Sequence, residues 1–225
     1  MSREKQIQQL LAVCLFAYLP SIIYAVYLLI SETNTSDDSN SGADYTFTII
    51  HMVLSLSLLA KVLSVRGISF HDLGITITWK YVLGGVALAF SGWILFGATH
   101  VLLRSILPVS YQHLLQPKNV AAVTNGFTML LLLFLVLNPF CEELIVRGFL
   151  MTEMFSLTGS KTVAVVVSVL FQTSYHLYQG VVPALLTALI FLLFSMFYIK
   201  TGNLTSVIVA HLVMDLAILV RSGIG

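Results

Sequence analysis

Charge is scarce in this chain. Only 9% of its 225 residues are Asp, Glu, Lys or Arg, against 58% that are hydrophobic. Soluble domains carry about 25% charge, so this balance excludes an ordinary water-soluble globule. The 11 basic and 10 acidic residues nearly cancel, and no basic patch offers a footprint for nucleic acid. Only Cys14 and Cys141 are available for disulfide chemistry. They lie far apart in apolar runs, which excludes a disulfide framework. The chain also lacks an internal repeat, a glycine-rich phosphate loop and an H-E-x-x-H zinc motif.

Long hydrophobic runs are what the sequence has in quantity. A helix needs about 20 apolar residues to cross a bilayer. Candidate spans run over Leu10–Ile30, Tyr45–Ser64, Tyr81–Leu103, Thr124–Leu137, Thr162–Tyr178, Pro183–Ile199 and Leu204–Val220. The segment Phe140–Phe155 continues the fourth of these or restarts it after Pro139. The expected fold is all-α, a polytopic transmembrane bundle of about seven to eight helices, with residues 1–225 forming a single integral membrane domain. The first run exceeds the 7–15 residues of a typical signal-peptide core and is read as a retained helix.

The basic residues set the expected orientation. Arg3, Lys5, Lys61, Arg66 and Lys80 fall at one end of the bundle, and the loop Ser31–Asp44 at the other holds four acids and no base. The positive-inside rule then makes the N-terminus cytoplasmic, in a multi-pass protein of the cell membrane. Arg147, Lys161 and Lys200 fall on the same cytoplasmic side, while Lys118 and Arg221 fall outside. Gly67–Lys80 is too short and polar to span and reads as an interfacial segment, with Trp79 and Tyr81 suited to the headgroup belt. Gly85, Ala89, Gly92 and Gly97 offer small surfaces for close helix packing.

Against this background the ionisable residues of the C-terminal half stand out. Charged groups at membrane depth are costly, rare and usually functional. Glu142, Glu143 and Arg147 form one group, His176 stands in a second helix, and His211 with Asp215 in a third. Adjacent residues point about 100° apart on an α-helix, whereas residues four apart share a face. Glu143 can therefore pair with Arg147, leaving Glu142 as the reactive carboxylate. Pro139 either kinks the helix or, capped by Asn138, starts a new one. Gly159 lies 17 residues after Glu142 and 17 before His176, so a turn there places both at similar depth. His211 and Asp215 share a face, but a simple zigzag leaves His211 about 13 Å from the level of His176.

Two mechanisms fit such residues. Glu142, His176 and His211 are candidate ligands for Zn²⁺ with an open water position. Alternatively, Glu142 and His176 activate water without a metal while His211 and Asp215 stabilise an oxyanion. Cys141 as a nucleophile is a minor third option.

The E-E-x-x-x-R element at Glu142–Arg147, the aromatic-to-His element Phe171–His176 and the H-x-x-x-D element His211–Asp215 resemble the CPBP intramembrane proteases. This family, also called Abi, includes the type II CAAX prenyl endopeptidases. The resemblance covers roughly 130–220 as a catalytic core. It implies peptide-bond hydrolysis inside the membrane, with Glu142, His176, His211 and Asp215 catalytic and Glu143 and Arg147 supporting. Two departures are visible: Phe171 stands five residues before His176 rather than the usual four, and Asp215 replaces the Asn typical of the eukaryotic prenyl-protein branch. These favour a bacterial peptide-processing or bacteriocin-immunity relative. The implied partners are a peptide or lipid-modified protein and the bilayer, with cleavage expected near the cytoplasmic side. The alternative is a non-proteolytic immunity or regulatory binding protein on the same fold.

Overall fold

A computed structural model of the protein describes residues 1–31, 41–117 and 129–223, with side chains described for 1–31, 45–117 and 129–217. The described residues are mostly helical, because backbone polar groups in lipid must be satisfied within their own segment. The first three helices are α1 (Arg3–Ser31), α2 (Ser41–Arg66) and α3 (Trp79–Ile106), followed by a 3₁₀ segment, Val109–Leu115. Next come α4 (Met129–Glu142), a π-helix (Glu143–Met151) and α5 (Thr152–Thr158), which continue one another without a break. The chain ends in α6 (Lys161–Ser174), α7 (Val181–Thr201) and α8 (Leu204–Gly223).

Five of these stretches are long and apolar enough to cross a membrane: α1, α2 from Tyr45, α3, the α4–α5 rod and α7. The α6 helix has only 14 residues, and the described apolar part of α8, Leu204–Ala217, is also short. The multi-pass architecture is as expected, although fewer segments reach spanning length than the seven to eight expected. The expected spans also reach outside the described residues, over Thr124–Thr128, as do Lys118, much of the acidic loop and the side chain of Arg221.

Pro139 lies inside α4, so the fourth run continues and Asn138 does not cap a new helix. Four residues later the hydrogen-bond ladder widens to the i→i+5 pattern of a π-helix. Such helices are usually single-turn bulges and often mark functional sites. Here the π segment has nine residues, all buried. It packs against α1, α6 and α8, which makes it the centre of the bundle.

Two contacts between helices and turns fix its surroundings. Gly159 (φ 69°) ends α5, and Ser160 caps α6 by accepting from the Val163 amide, giving the expected reversal. On the other flank α3 lies along α8. A Cβ on Gly85 would come within 2.6 Å of Val209, and one on Gly92 within 3.4 Å of Met214. Those glycines do permit close helix approach, whereas Gly97 faces open space.

The segment between α2 and α3 is not simply interfacial. Ile77 and Trp79 are exposed, but Leu73 is buried. The Leu73 carbonyl accepts from the Tyr198 hydroxyl at 3.1 Å, and the Gly74 carbonyl accepts from the Leu204 amide at 3.0 Å. A Cβ on Gly148 would meet Leu204 at 3.1 Å and Leu73 at 3.4 Å. Gly148 is 11 residues above the Gly159 turn, or about 16 Å. The segment therefore reaches well into the bundle and plugs it from the end that carries the N-terminus.

Candidate active site

Every ionisable residue singled out from the sequence arrives at one place beside the π-helix. Glu142 ends α4 and Glu143 opens the π segment, and both are buried, at 6% and 0% exposure. A π-helix has more residues per turn than an α-helix, so adjacent side chains diverge by less than 100°. Both carboxylates are buried in the bundle.

Glu142 accepts two hydrogen bonds, from Gln172 Nε2 at 2.7 Å and from the Tyr175 hydroxyl at 3.0 Å. Both fall on Oε2. Tyr175 is held by stacking on Tyr18 of α1, with centroids 4.4 Å apart and planes at 10°. Phe171 touches both rings edge-on. The Phe171–His176 spacing thus builds an aromatic wall behind Glu142.

Glu143 and Arg147 pair as expected, at 3.1 Å with both side chains fully buried. Arg147 also donates to the Phe191 carbonyl at 3.3 Å and lies over the Phe191 and Phe194 rings. Glu143 Oε2 and Arg147 Nε have no protein partner. Glu143 does more than the expected pairing, because its Oε1 also meets Nδ1 of His211 at 2.7 Å.

His211 and Asp215 share a face of α8. Their closest approach, Nε2 to Oδ1, is 3.6 Å, too long for a direct hydrogen bond. Asn138 Nδ2 donates to the other Asp215 oxygen at 3.5 Å. His176 is not in a helix: α6 stops at Ser174, and His176 precedes a 3₁₀ turn, Leu177–Gln179. Its Nδ1 contacts the Gln172 carbonyl at 2.9 Å, and its ring packs edge-on against Phe191, 4.8 Å away. Electrostatic interactions link Glu142 to both histidines and to Asp215.

The expected depth mismatch of His211 disappears in the stretch after His176. A tight reversal at Gly180 would put residue 184 level with His176, but the ring contact is made by Phe191. That offset is seven residues, or about 10 Å of helix, and the 3₁₀ turn with Gly180 at φ 96° absorbs it. Three contributors escape the sequence reading. Gln172 and Tyr175 anchor Glu142, and Asn138 holds Asp215. Gln172 lies four residues before His176, and helical spacing alone would have flagged it.

Among the described residues no three of His, Cys, Asp and Glu group as a metal site. His211 Nδ1 meets Glu143, His176 Nδ1 meets a backbone carbonyl, and one oxygen of Glu142 has two donors; such bonds orient each ring and leave its Nε2 as the nitrogen available to a water or a metal. Cys141 is buried.

Residues 124–217 match the family described as type II CAAX prenyl endopeptidase, Rce1-like. Curated proteins and solved structures give no match. The matched stretch contains Glu142, Glu143, Arg147, His176, His211 and Asp215. Within the multi-pass helical architecture, residues 124–217, which carry the three elements in order, are similar to the type II CAAX prenyl endopeptidase family.

Proposed function

We propose that the protein is an intramembrane endopeptidase in which Glu142 activates the hydrolytic water. The observation that carries this reading is the one-sided solvation of Glu142: both of its hydrogen bonds fall on Oε2. Oε1 is free to take a proton from water as that water attacks the scissile carbonyl. Gln172 and Tyr175 hold the carboxylate in position throughout, which is the geometric requirement for a general base.

His211 supplies the electrostatic complement. Its Nδ1 donates to Glu143, so the ring is oriented as an imidazole is by a buried carboxylate. Nε2 then faces the gap towards Asp215; with the ring carrying both protons between Glu143 and Asp215, its second N–H stabilises the oxyanion of the tetrahedral intermediate. His176, its Nδ1–H spent on the Gln172 carbonyl, presents Nε2 for relaying the proton from Glu142 to the departing amine. Collapse of the intermediate breaks the C–N bond and leaves a carboxylate and a free amine. Arg147 balances the charge of Glu143 and ties the π-helix to α7. No step requires a metal.

The basic residues support an orientation with the N-terminus in the cytoplasm. The Leu73 segment then lies at the cytoplasmic end of the bundle. The substrate is a membrane-associated peptide or lipid-modified protein.

The test is hydrolysis of a fluorogenic lipid-linked peptide library by wild-type and Glu142→Gln protein, with and without a zinc chelator. The reading expects cleavage by the wild type in both conditions and none by the variant. Loss on chelation would restore the zinc arrangement. A Glu142→Gln protein that still complements a cellular phenotype would favour a non-proteolytic binding role.

A further inference from the structure

Asp215 of α8 faces two nitrogens, one on each of its oxygens. Nε2 of His211 lies 3.6 Å from Oδ1, and Nδ2 of Asn138 lies 3.5 Å from Oδ2. The histidine belongs to the same helix, four residues back, but the asparagine comes from α4. Asn138 is half-buried, and among the described residues its side chain makes no other hydrogen bond. A side-chain amide carries two N–H groups, and an ionised carboxylate only accepts. Asp215 therefore turns the nitrogen end of the amide towards α8, uses one of its protons and leaves the second uncommitted.

The register of the helices brings this amide to the chemistry. Gly148 abuts Leu204, Glu143 meets His211, and Asn138 meets Asp215. Numbers fall along one rod as they rise along the other, so the two run antiparallel. Five residues back from Glu143 and four forward from His211 cover about 7.5 and 6 Å, which keeps the second pair level. Within α4, Asn138 stands four residues before Glu142, on the same helix face and about 6 Å along the axis. Two hydrogen-bond lengths of about 3 Å each fill that interval. A water against Glu142 and a carbonyl oxygen against Asn138 fit into it side by side.

We propose that Asn138 is a further catalytic residue, its uncommitted Nδ2–H donating to the oxyanion beside Nε2–H of His211, with Asp215 as the positioning residue that aims it. This rests on the peptidase reading of the Glu142 site. When water adds to the scissile carbon, its proton passes to Glu142 and the carbonyl π pair becomes a lone pair on oxygen. Two N–H groups held in place before the reaction share the new charge, which is the condition for effective oxyanion stabilisation. Asp215 then acts from behind the donors and makes no contact of its own with the oxyanion.

The test compares the wild type with Asn138→Ala, Asn138→Asp and the exchange Asn138→Asp/Asp215→Asn, each as full-length protein in phosphatidylcholine nanodiscs. The substrate is one lipid-linked peptide that the wild type hydrolyses. A second probe is the same peptide with a trifluoromethyl ketone at the scissile position, whose hydrate mimics the tetrahedral intermediate. Asn138→Ala should lower kcat about 10²–10³-fold with KM close to wild type, the loss expected for one oxyanion donor. Ketone binding should weaken by a similar factor, because the mimic draws on contacts made only in the transition state. The exchange returns one amide and one carboxylate to the pair, and should recover at least about tenfold of the activity lost in Asn138→Asp, as coupled neighbours do.

A kcat near wild type in Asn138→Ala would overturn the proposal, and so would a rise in KM alone. Ketone binding unchanged by Asn138→Ala would do the same, and a dissociation constant is independent of how much of the variant folds. An exchange no more active than Asn138→Asp would remove Asp215 as the positioning residue. Glu142→Gln protein is assayed in parallel. If Asn138→Ala matches the wild type while Glu142→Gln is inactive, this assignment fails and the peptidase reading stands. If Glu142→Gln cleaves like the wild type, or the wild type cleaves nothing, the peptidase reading fails and takes the assignment with it.

Discussion

His211 Nδ1 lies 2.7 Å from Oε1 of Glu143. The same oxygen is 3.1 Å from Arg147. One buried carboxylate therefore serves two basic side chains on different helices, and it joins the π segment to α8 at the level of the proposed chemistry. Removing it should disturb mechanism more than substrate binding. Glu143→Gln is expected to lower kcat about 100-fold with little change in KM, the size of effect seen when the group orienting a functional histidine is lost. Steady-state kinetics on the wild type and the variant check this, and a pure KM effect would argue against an orienting role.

The Glu143–Arg147 pair also makes a stability prediction. Breaking a buried pair by removing one partner costs about 3–5 kcal/mol, because the remaining charge is uncompensated. Arg147→Met should therefore lower the melting temperature sharply. The double variant Glu143→Gln/Arg147→Met should lose less than the sum of the single losses, as coupled neighbours do. Thermal unfolding in detergent across the four-protein cycle measures the coupling. Additive losses would mean that the two side chains act separately.

The plug offers a test with an internal control. Gly74 has φ 87°, and a Cβ there would fall 1.9 Å from the Gly202 carbonyl oxygen. Gly159 has φ 69° but open space around it. Gly159→Ala should cost only the left-handed strain, about 1–2 kcal/mol. Gly74→Ala adds a backbone overlap and should cost clearly more, or leave the Leu73 segment undocked. Unfolding midpoints and the protease sensitivity of residues 67–78 report the two effects. Equal losses at the two glycines would show that the segment is not packed as described.

Asp72, in the same segment, provides a pH marker outside the spans. Its carboxylate accepts from the Ser69 hydroxyl at 2.7 Å and the Ser69 amide at 2.8 Å, which holds its pKa below the ordinary value. A carboxylate with a lowered folded-state pKa adds stability above its unfolded pKa, and that stability fades as pH falls through the folded value. Ser69→Ala should move the Asp72 pKa back up, and acid should then loosen the turn at a higher pH. Carbon-detected titration of Asp72 reads the shift; an unchanged pKa would discount the hydrogen bonds as its cause.

Much of this organisation is legible in the sequence, and for identifiable reasons. Apolar runs reveal helices because lipid leaves the backbone few alternatives. Glu143 and Arg147 announce their pairing by a four-residue spacing. The equal distances of Glu142 and His176 from Gly159 predict their shared depth, since a hairpin preserves register on both arms. The π-helix is invisible, because no residue signature distinguishes it from the α-helix it interrupts. The level of His211 is missed for a related reason. It depends on how far the residues from Leu177 to Gly180 advance before α7 turns back, which is a matter of irregular backbone. Gln172 and Tyr175 are hidden among the ordinary polar and aromatic residues of a short helix, and only packing against Tyr18 reveals their part in holding Glu142.

The central claim is that Glu142 activates the water, and the most direct measurement is single-turnover cleavage of one defined peptide by wild-type and Glu142→Gln protein. Substrate affinity and melting temperature are recorded for the same samples. The account predicts a rate loss of about 10²–10⁴-fold, the range for a positioned general base, with affinity and melting temperature close to wild type. A variant that cleaves within about tenfold of the wild-type rate would fall outside that range and move the chemistry away from Glu142.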